Sequence, residues 1–193
     1  MGGGTAEGVV TDSLQTPDRA VRIATDLVNT DAGDGDGLND PAHLRRFLLD
    51  HAEPEPVTVT AEELEHVRRI RRRLRAVFET DDDREAAAVL NELLDAYATR
   101  PYLSDHDGTP WHVHVSDADA DWARWLAATT AVGLAVLVAG HGFGAFRSCM
   151  AAGCERVFVS HTRQARRFCS PACATRTRVS AYRRRQREGH RLG

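Results

Sequence analysis

All four cysteines of this 193-residue chain lie in its last quarter, as Cys149-x4-Cys154-x14-Cys169-x3-Cys173. Two close pairs separated by a hairpin-sized gap suit a tetrahedral Zn²⁺, which takes two thiolates from each of two tight turns. The constraint on folding is severe. A segment of this length is close to the limit of roughly 40 residues below which a chain usually needs a metal or disulfides to hold a fold. Zinc would supply much of the missing free energy. A disulfide framework is the competing use of four cysteines. It fits less well, because the N-terminal Met-Gly-Gly-Gly-Thr-Ala has neither a charged leader nor an apolar run, so secretion is not expected.

Charge divides the chain at the same place. Residues 147–193 hold 12 Arg against Glu155 and Glu188, a formal charge of +10, whereas residues 1–146 hold 13 Arg against 26 acids, a charge of −13. The net −3 thus hides an acidic body joined to a basic tail, the electrostatic footprint of a module that meets phosphates. The chain has no lysine; all 25 basic residues are arginine. A GC-rich coding bias is the plain reason, yet arginine also grips a phosphate or a guanine edge with two parallel hydrogen bonds.

The body is long enough to bury a core, and its pattern is mainly α with a few short strands. Residues 1–18 are Gly-rich and polar and are expected to be disordered, which leaves a body over 19–146 and a metal-bound tail over 147–193. Val21 to Thr30 is rich in β-branched residues and reads as a strand, with a short helix as the alternative. Asp31 to Asp40 reads as a solvated acidic loop whose register fails the EF-hand template, since Leu38 stands at a ligand position. Asp40-Pro41 opens a helix through Leu44, Phe47 and Leu48. Thr60-Ala-Glu-Glu63 is a capping box for a helix to about Glu79 with Leu64, Val67, Ile70, Leu74, Val77 and Phe78 inward.

Six arginines between Arg68 and Arg75 line the other faces of that helix, among acids that should pair them. A third helix covers Asp83 to Thr99 with Ala87, Leu90, Leu94 and Tyr97 inward. Trp111 to Val115 alternates as a strand that puts His112 and His114 on one face, half-exposed. Ser116-Asp-Ala-Asp caps a long helix ending near Gly140. Its charge-free run from Trp125 to Gly140, 16 residues, is short for a bilayer span and reads as a buried core helix; no membrane partner and a cytoplasmic location are expected. There is no P-loop, nucleophile elbow or dinucleotide fingerprint, and no acid–base pair is legible, so an enzyme is not expected.

In the tail, Gly153 can take a positive φ just before Cys154, which closes a knuckle between the first two ligands. Val157 to Val159 is strand-like, with Phe158 in a tiny core. Ser160 to Arg167 would be a hairpin tip, and Ser170 or Pro171 opens a final helix whose first turn carries Cys169 and Cys173 on one face. Knuckle, hairpin and ligand-bearing helix make a treble-clef arrangement. Val179 and Tyr182 should pack back on the hairpin. Arg176, Arg183 and Arg187 share one face of that helix and Arg178 and Arg185 nearly the opposite one, a distribution that favours phosphate contact over a single base-reading stripe. Arg166, Arg167, Arg176, Arg178, Arg183, Arg184 and Arg187 are the candidate nucleic-acid contacts. Arg176, next to the metal-fixed turn, is placed either to read a guanine edge or to brace the turn by bonding its carbonyls.

These residues resemble the CGNR zinc finger family. The matching stretches are Arg147-Ser-Cys149, Cys154-Glu-Arg-Val-Phe158, Arg166-Arg-Phe-Cys169-Ser170 and Cys173-Ala-Thr-Arg176, where Ala174 and Thr175 stand in place of the signature Gly and Asn. The family's usual N-terminal partner is the ABATE domain, mostly helical with a few strands and associated with stress-induced transcription regulation. Leu27-Val-Asn-Thr30, the acidic loop and the helix from Pro41 are similar to its opening. The resemblance implies a bacterial-type transcription regulator holding one Zn²⁺ per chain on Cys149, Cys154, Cys169 and Cys173. Its tail would contact DNA, and its body would sense a small-molecule ligand or form a homodimer. An RNA-binding or ribosome-associated protein, and an adaptor that docks on an acidic protein partner, are the alternatives.

Overall fold

The acidic N-terminal part of the chain folds as a helical bundle around one central helix. In the computed structural model, residues 17–33, 35–105, 111–160 and 166–189 are described. Their element order is α1 (Pro17–Asn29), α2 (Pro41–Asp50), α3 (Ala61–Glu79), α4 (Asp83–Tyr97), β1 (Tyr102–Ser104), β2 (His112–His114), α5 (Trp122–His141), β3 (Phe146–Ser148), β4 (Val157–Val159) and α6 (Pro171–Gly189). A single 3₁₀ turn, Phe143–Ala145, joins α5 to β3. The expected disorder of the N-terminus concerns residues that, up to 16, lie outside the described ones; Pro17 and Asp18 already belong to α1.

α5 is the hub. Its residues Ala123, Leu126, Ala127, Ala131, Leu134 and Leu137 are all buried, and it lies against α1, α3 and α4. By length and composition it could cross a membrane, but its neighbours in the bundle bury it as a core helix. Its N-cap is Asp121, which accepts from Arg124 N at 2.7 Å. The cap thus falls later than the Ser116 signal suggests, because residues 117–121 make a turn first. Glu63 ties this start to α3: one carboxylate oxygen accepts from Thr60 N at 2.7 Å within the capping box, and the other from Trp122 N at 3.2 Å.

α1 corrects the strand reading of Val21 to Thr30. Ala20, Ile23, Ala24, Leu27 and Val28 are all buried at spacings of three and four, which is a helix face and not a two-residue alternation. Packing on α5 overrides the β-branched local preference. The approach is close: a Cβ built on Gly133 would lie 2.4 Å from Ala20 Cβ. α4 is also shifted in phase. Ala86, Leu90 and Leu93 form its buried line, while Ala87, Leu94 and Tyr97 sit at the margin. β1 and β2 pair antiparallel, with Leu103 opposite Val113. His112 and His114 do share a face, their rings 4.6 Å apart, but His112 is buried.

The acidic loop is largely exposed, as expected, but it is pinned at Asp36 and Leu38. Arg71, only 3% exposed, donates to both oxygens of Asp36 at 2.6 Å and to Thr30 Oγ1 at 2.9 Å. Arg68 donates to Leu38 O, and Leu38 is itself buried. Most of the α3 run behaves as its acidic neighbours suggest, with Arg68 paired to Glu65, Arg73 to Glu92 and Arg75 to Glu79, while Arg69 and Arg72 have no carboxylate partner among the described residues.

Two outcomes test this packing. Gly133→Ala should lose stability although Ala gains about 1 kcal/mol over Gly in a helix, because overpacking at a 2.4 Å contact costs about 1–3 kcal/mol. A raised melting temperature would show that α1 and α5 are free to separate. Hydrogen bonds from Arg71 hold the Asp36 carboxyl at about 2, against an ordinary 3.8, despite partial burial. A carboxylate pKa lowered by folding stabilises the native state above the ordinary value, and that stability is lost as the pH falls from about 4 to about 2. The wild-type advantage over Asp36→Asn in urea unfolding should therefore shrink by about 2 kcal/mol over that window. Zinc release is common to both proteins and cancels. An unchanged gap would assign the loop's anchoring to Leu38 alone.

Candidate metal centre and basic helix

The metal centre is built from a hairpin tip and a helix start. β3 pairs antiparallel with β4, Phe146 opposite Val159 and Ser148 opposite Val157, so the turn between these strands is the knuckle itself. This differs from the expected hairpin across Ser160 to Arg167, most of whose tip lies outside the described residues. Cys149 N donates to Arg156 O at 2.9 Å and closes the knuckle; Gly153, at φ +69°, makes the turn that Cys154 N completes by donating to Ala151 O at 3.0 Å. The strand Phe158 is buried but belongs to no hydrophobic cluster of the module; the Arg166 guanidinium covers it, 5.2 Å from the ring centre.

The second pair comes from the start of α6. Ser170 Oγ accepts from Cys173 N at 3.2 Å, and Pro171 takes the first helical position, where its missing N–H costs nothing. The four sulfurs then lie within 4.8 Å of one another. The measured edges are 3.8 Å for Cys154–Cys169, 3.7 Å for Cys169–Cys173 and 3.8 Å for Cys173–Cys154. A tetrahedral Zn²⁺ with bonds of about 2.3 Å requires sulfur–sulfur edges of about 3.8 Å. All four cysteines are free, and these separations are far beyond a disulfide bond. The donor set and its spacing fit one zinc ion.

The local electrostatics call for a cation. Burial raises the Cys149 thiol, but backbone N–H groups of Cys169 and Ala151 outweigh it and hold Cys149 at about 7. Burial, then the neighbouring sulfurs, push Cys169 up to about 12, and burial also raises Cys154. Four thiolates cannot share this space unless a divalent ion offsets them, and its binding releases their protons. The helix N-terminus adds partial positive charge beside the resulting anionic centre.

Around the sulfurs Ala151 and Phe168 form a small cluster of the module's own, but its hairpin is rooted elsewhere. Ala145, Phe146 and Val157 belong to the hydrophobic core of the bundle, and Phe146 packs on Phe78 with ring centres 4.9 Å apart. The cysteine cluster is thus separate from the bundle core, whereas the hairpin that carries it is part of that core. The buried Asn29 amide clasps β4 from α1: Val157 N donates to Oδ1 at 2.8 Å, and Nδ2 donates to Val157 O at 2.9 Å. Arg75 bridges the same seam, donating to Val28 O at 2.8 Å and Glu155 O at 3.2 Å. Neither residue stands out in the sequence; a polar residue at the end of an apolar helix face, as Asn29 is, was the one available signal.

The seven candidate arginines divide into two groups. Arg166 donates to Phe168 O at 3.0 Å and Cys169 O at 2.5 Å, and Arg167 Nε lies 3.3 Å from Met150 Sδ. Arg176 reaches back to Ala152 O at 3.4 Å and Cys173 Sγ at 3.8 Å, contacts that favour bracing the knuckle over reading a base. Arg178 keeps one contact, Nε to Ala174 O at 3.4 Å. Arg183, Arg184 and Arg187 are exposed with no carboxylate partner among the described side chains, which do not include Glu188, and Arg185, absent from the candidates, is placed likewise. Val179 and Tyr182 do not pack back on the hairpin; they are 42% and 57% exposed.

Metal removal should consequently be felt beyond the tail. A zinc chelator, or Cys169→Ser, should release one Zn²⁺ per chain and lower the melting temperature of the whole protein by roughly 5–10 °C, a loss of about 2–3 kcal/mol from the shared core. Two independent transitions, with the bundle melting unchanged, would contradict the shared core. A metal-free preparation with an ordered tail and a Cys–Cys bridge would contradict the zinc site.

No curated protein matches the chain. Two family models do. One, the CGNR zinc finger, matches residues 146–186 and so spans the hairpin, the four cysteines and most of α6. The other, ABATE, described as "Putative stress-induced transcription regulator", matches residues 21–141, from within α1 to the end of α5. With well over half its length in that match, the chain belongs to the ABATE family and carries a C-terminal CGNR zinc finger that takes a single Zn²⁺.

Proposed function

We propose that this regulatory zinc protein binds DNA through α6, with the acidic bundle as its regulatory half. The observation that carries the proposal is the contrast between two sets of arginines. In the acidic body six of the 13 arginines, Arg19, Arg45, Arg68, Arg71, Arg73 and Arg75, pair with a carboxylate of the same chain. On α6 the terminal cluster Arg183, Arg184, Arg185 and Arg187 is exposed and has none among the described side chains, Glu188 not being one of them, and the sequence offers α6 that single acid against six arginines. Such a concentration of like charge repels itself unless an external polyanion relieves it. A side chain that needs no internal partner and stands on the last turns of a helix is available to phosphate.

DNA is favoured over RNA by shape. α6 is a continuous 19-residue helix that projects from the metal centre. The major groove of B-form DNA, about 12 Å wide, admits a helix, whereas the deep, narrow major groove of A-form RNA does not. The bundle, at −13, would be repelled from the same surface and would report its state through the Asn29 and Arg75 seam. A crevice of about 430 Å³ beside that seam, lined by Asp18, Arg22 and Asp26 of α1 and by Val159 of β4, is where a small regulatory ligand would sit.

Salt titration tests the reading on the intact, zinc-loaded protein. With four to five α6 arginines engaged, log Kobs against log salt should fall with a slope of about −4 on duplex DNA. Arg183→Ala or Arg187→Ala should make it shallower by about one on every sequence alike. Arg69→Ala, on an exposed turn of α3, should leave it unchanged. No binding to DNA near 0.15 M salt, or tighter binding to RNA at matched salt, would replace this reading with one of its alternatives.

A further inference from the structure

The face of α6 that points away from the metal centre is neither charged nor buried. At about 100° per residue, Cys173, Thr177 and Ala181 share the side turned to the module, and all three are buried or half-buried. On the opposite side Thr175, Val179, Tyr182 and Gln186 form one line at spacings of four, three and four, and all are exposed. Gln186 Nε2 donates to Tyr182 Oη at 3.1 Å, which lays the amide along this line. Arg183 and Arg187 flank it on one side, and Arg178 and Arg185 on the other, each pair about a quarter turn away.

We infer that this stripe is a base-reading surface, with the two arginine pairs gripping the phosphates on either side of the DNA major groove. The inference rests on the DNA-binding function proposed above and adds the direction of its specificity. A helix about 10–12 Å across fills a groove about 12 Å wide, so its leading face meets base edges while residues a quarter turn away meet the two backbones. The chemistry of the leading face selects the bases. The methyl groups of Val179 and Thr175 complement the thymine C5-methyl, and a glutamine amide bonds the N6 and N7 edge of adenine in two places. Gln186 retains a second N–H and its carbonyl for that purpose after bonding Tyr182. No arginine stands on the stripe, so guanine is not the preferred contact; Arg176, next to Thr175, is turned back to the knuckle. The readable target is therefore a short A·T-containing site.

Charge complementarity selects DNA as the occupant over another protein helix. An apolar partner would have to bury Val179 and Tyr182 between four exposed arginines, whereas a groove floor between two phosphate rows meets every one of these groups. Selection from a random duplex library by the full zinc-loaded protein should recover a site with A·T pairs. Gln186→Ala should then lose roughly tenfold on that site at one A·T position, with binding to random DNA changed less than twofold and zinc content intact. Val179→Ser should relax a neighbouring thymine position. Arg183→Ala should instead weaken both DNAs equally. If Gln186→Ala and Val179→Ser leave a clear sequence preference untouched, or if the wild-type protein binds DNA with no preference, the stripe does not read bases, and the DNA-binding function stands without it. If the wild-type protein binds no DNA, and its stripe variants instead lose binding to RNA or to a protein, both readings fall together.

Discussion

A side-chain amide holds the two halves of this protein in register. Asn29 ends α1 with both of its amide functions committed to the backbone of Val157, 128 residues further along the chain. The pair is buried, so each lost bond would leave a desolvated polar group, at about 1–3 kcal/mol apiece. β4 is thereby paired on one edge by β3 and on the other by a side chain acting as a substitute strand. Everything distal to it inherits that placement: the knuckle is the turn of the β3–β4 hairpin, the sulfurs hang from the knuckle, and α6 starts at the sulfurs. The direction in which α6 leaves the protein is set at the end of α1.

That route also explains why a bundle can influence a helix it scarcely touches. α1 rests on α5 through the gap at Gly133, and α3 contributes Arg75 to the same seam. A change in how α1 sits would be transmitted through two hydrogen bonds and one guanidinium to a strand three residues long. The physical requirement for such coupling is an element with two arrangements biased by both ends. At the seam the polar contacts are few, and they run beside the packing of Ala145, Phe146 and Val157 into the bundle core.

Much of this was legible from sequence, for reasons that differ by element. Helices with chemical start signals, Asp40-Pro41 and Thr60-x-x-Glu63, were readable because capping is local and needs only three or four neighbours. The metal centre was readable because ligand spacing encodes its geometry. α1 was not, since its β-branched composition points to a strand and only its burial against α5 shows the helix face. The partner of β4 was likewise invisible: choosing β3 over the following segment depends on Phe146 and Val157 both entering the bundle core, a nonlocal fact. The pinning of the acidic loop was invisible in the same way, because nothing nearby announces that Arg71, 35 residues on, will be buried beneath Asp36. On α6 the apolar pair Val179 and Tyr182 suggests packing, but the hairpin is already packed elsewhere and leaves them in solvent.

The ordering of α6 follows from two opposed electrostatic terms. Arg183 and Arg187 stand four apart, and Arg184 and Arg187 three apart, on a helix with a dearth of acids, and like charges at these spacings destabilise an isolated helix by a few tenths of a kcal/mol per pair. Residues 182–187 are all exposed, so packing of these side chains does not offset it. The start of the helix is the opposite case: a tetrathiolate zinc centre carries a formal charge of −2, and it sits where Ser170 caps and the macrodipole is positive. Arg176, bonded to Ala152 O and close to Cys173 Sγ, adds a cation to the same spot. The metal therefore nucleates the helix from its first turn, which is the costly step in helix formation. Further along, only helix propagation opposes the repulsion among the arginines. A polyanion along the outer face would reverse that sign, so metal and nucleic acid would act on the two ends of one helix, the first fixing where it begins and the second how far it persists.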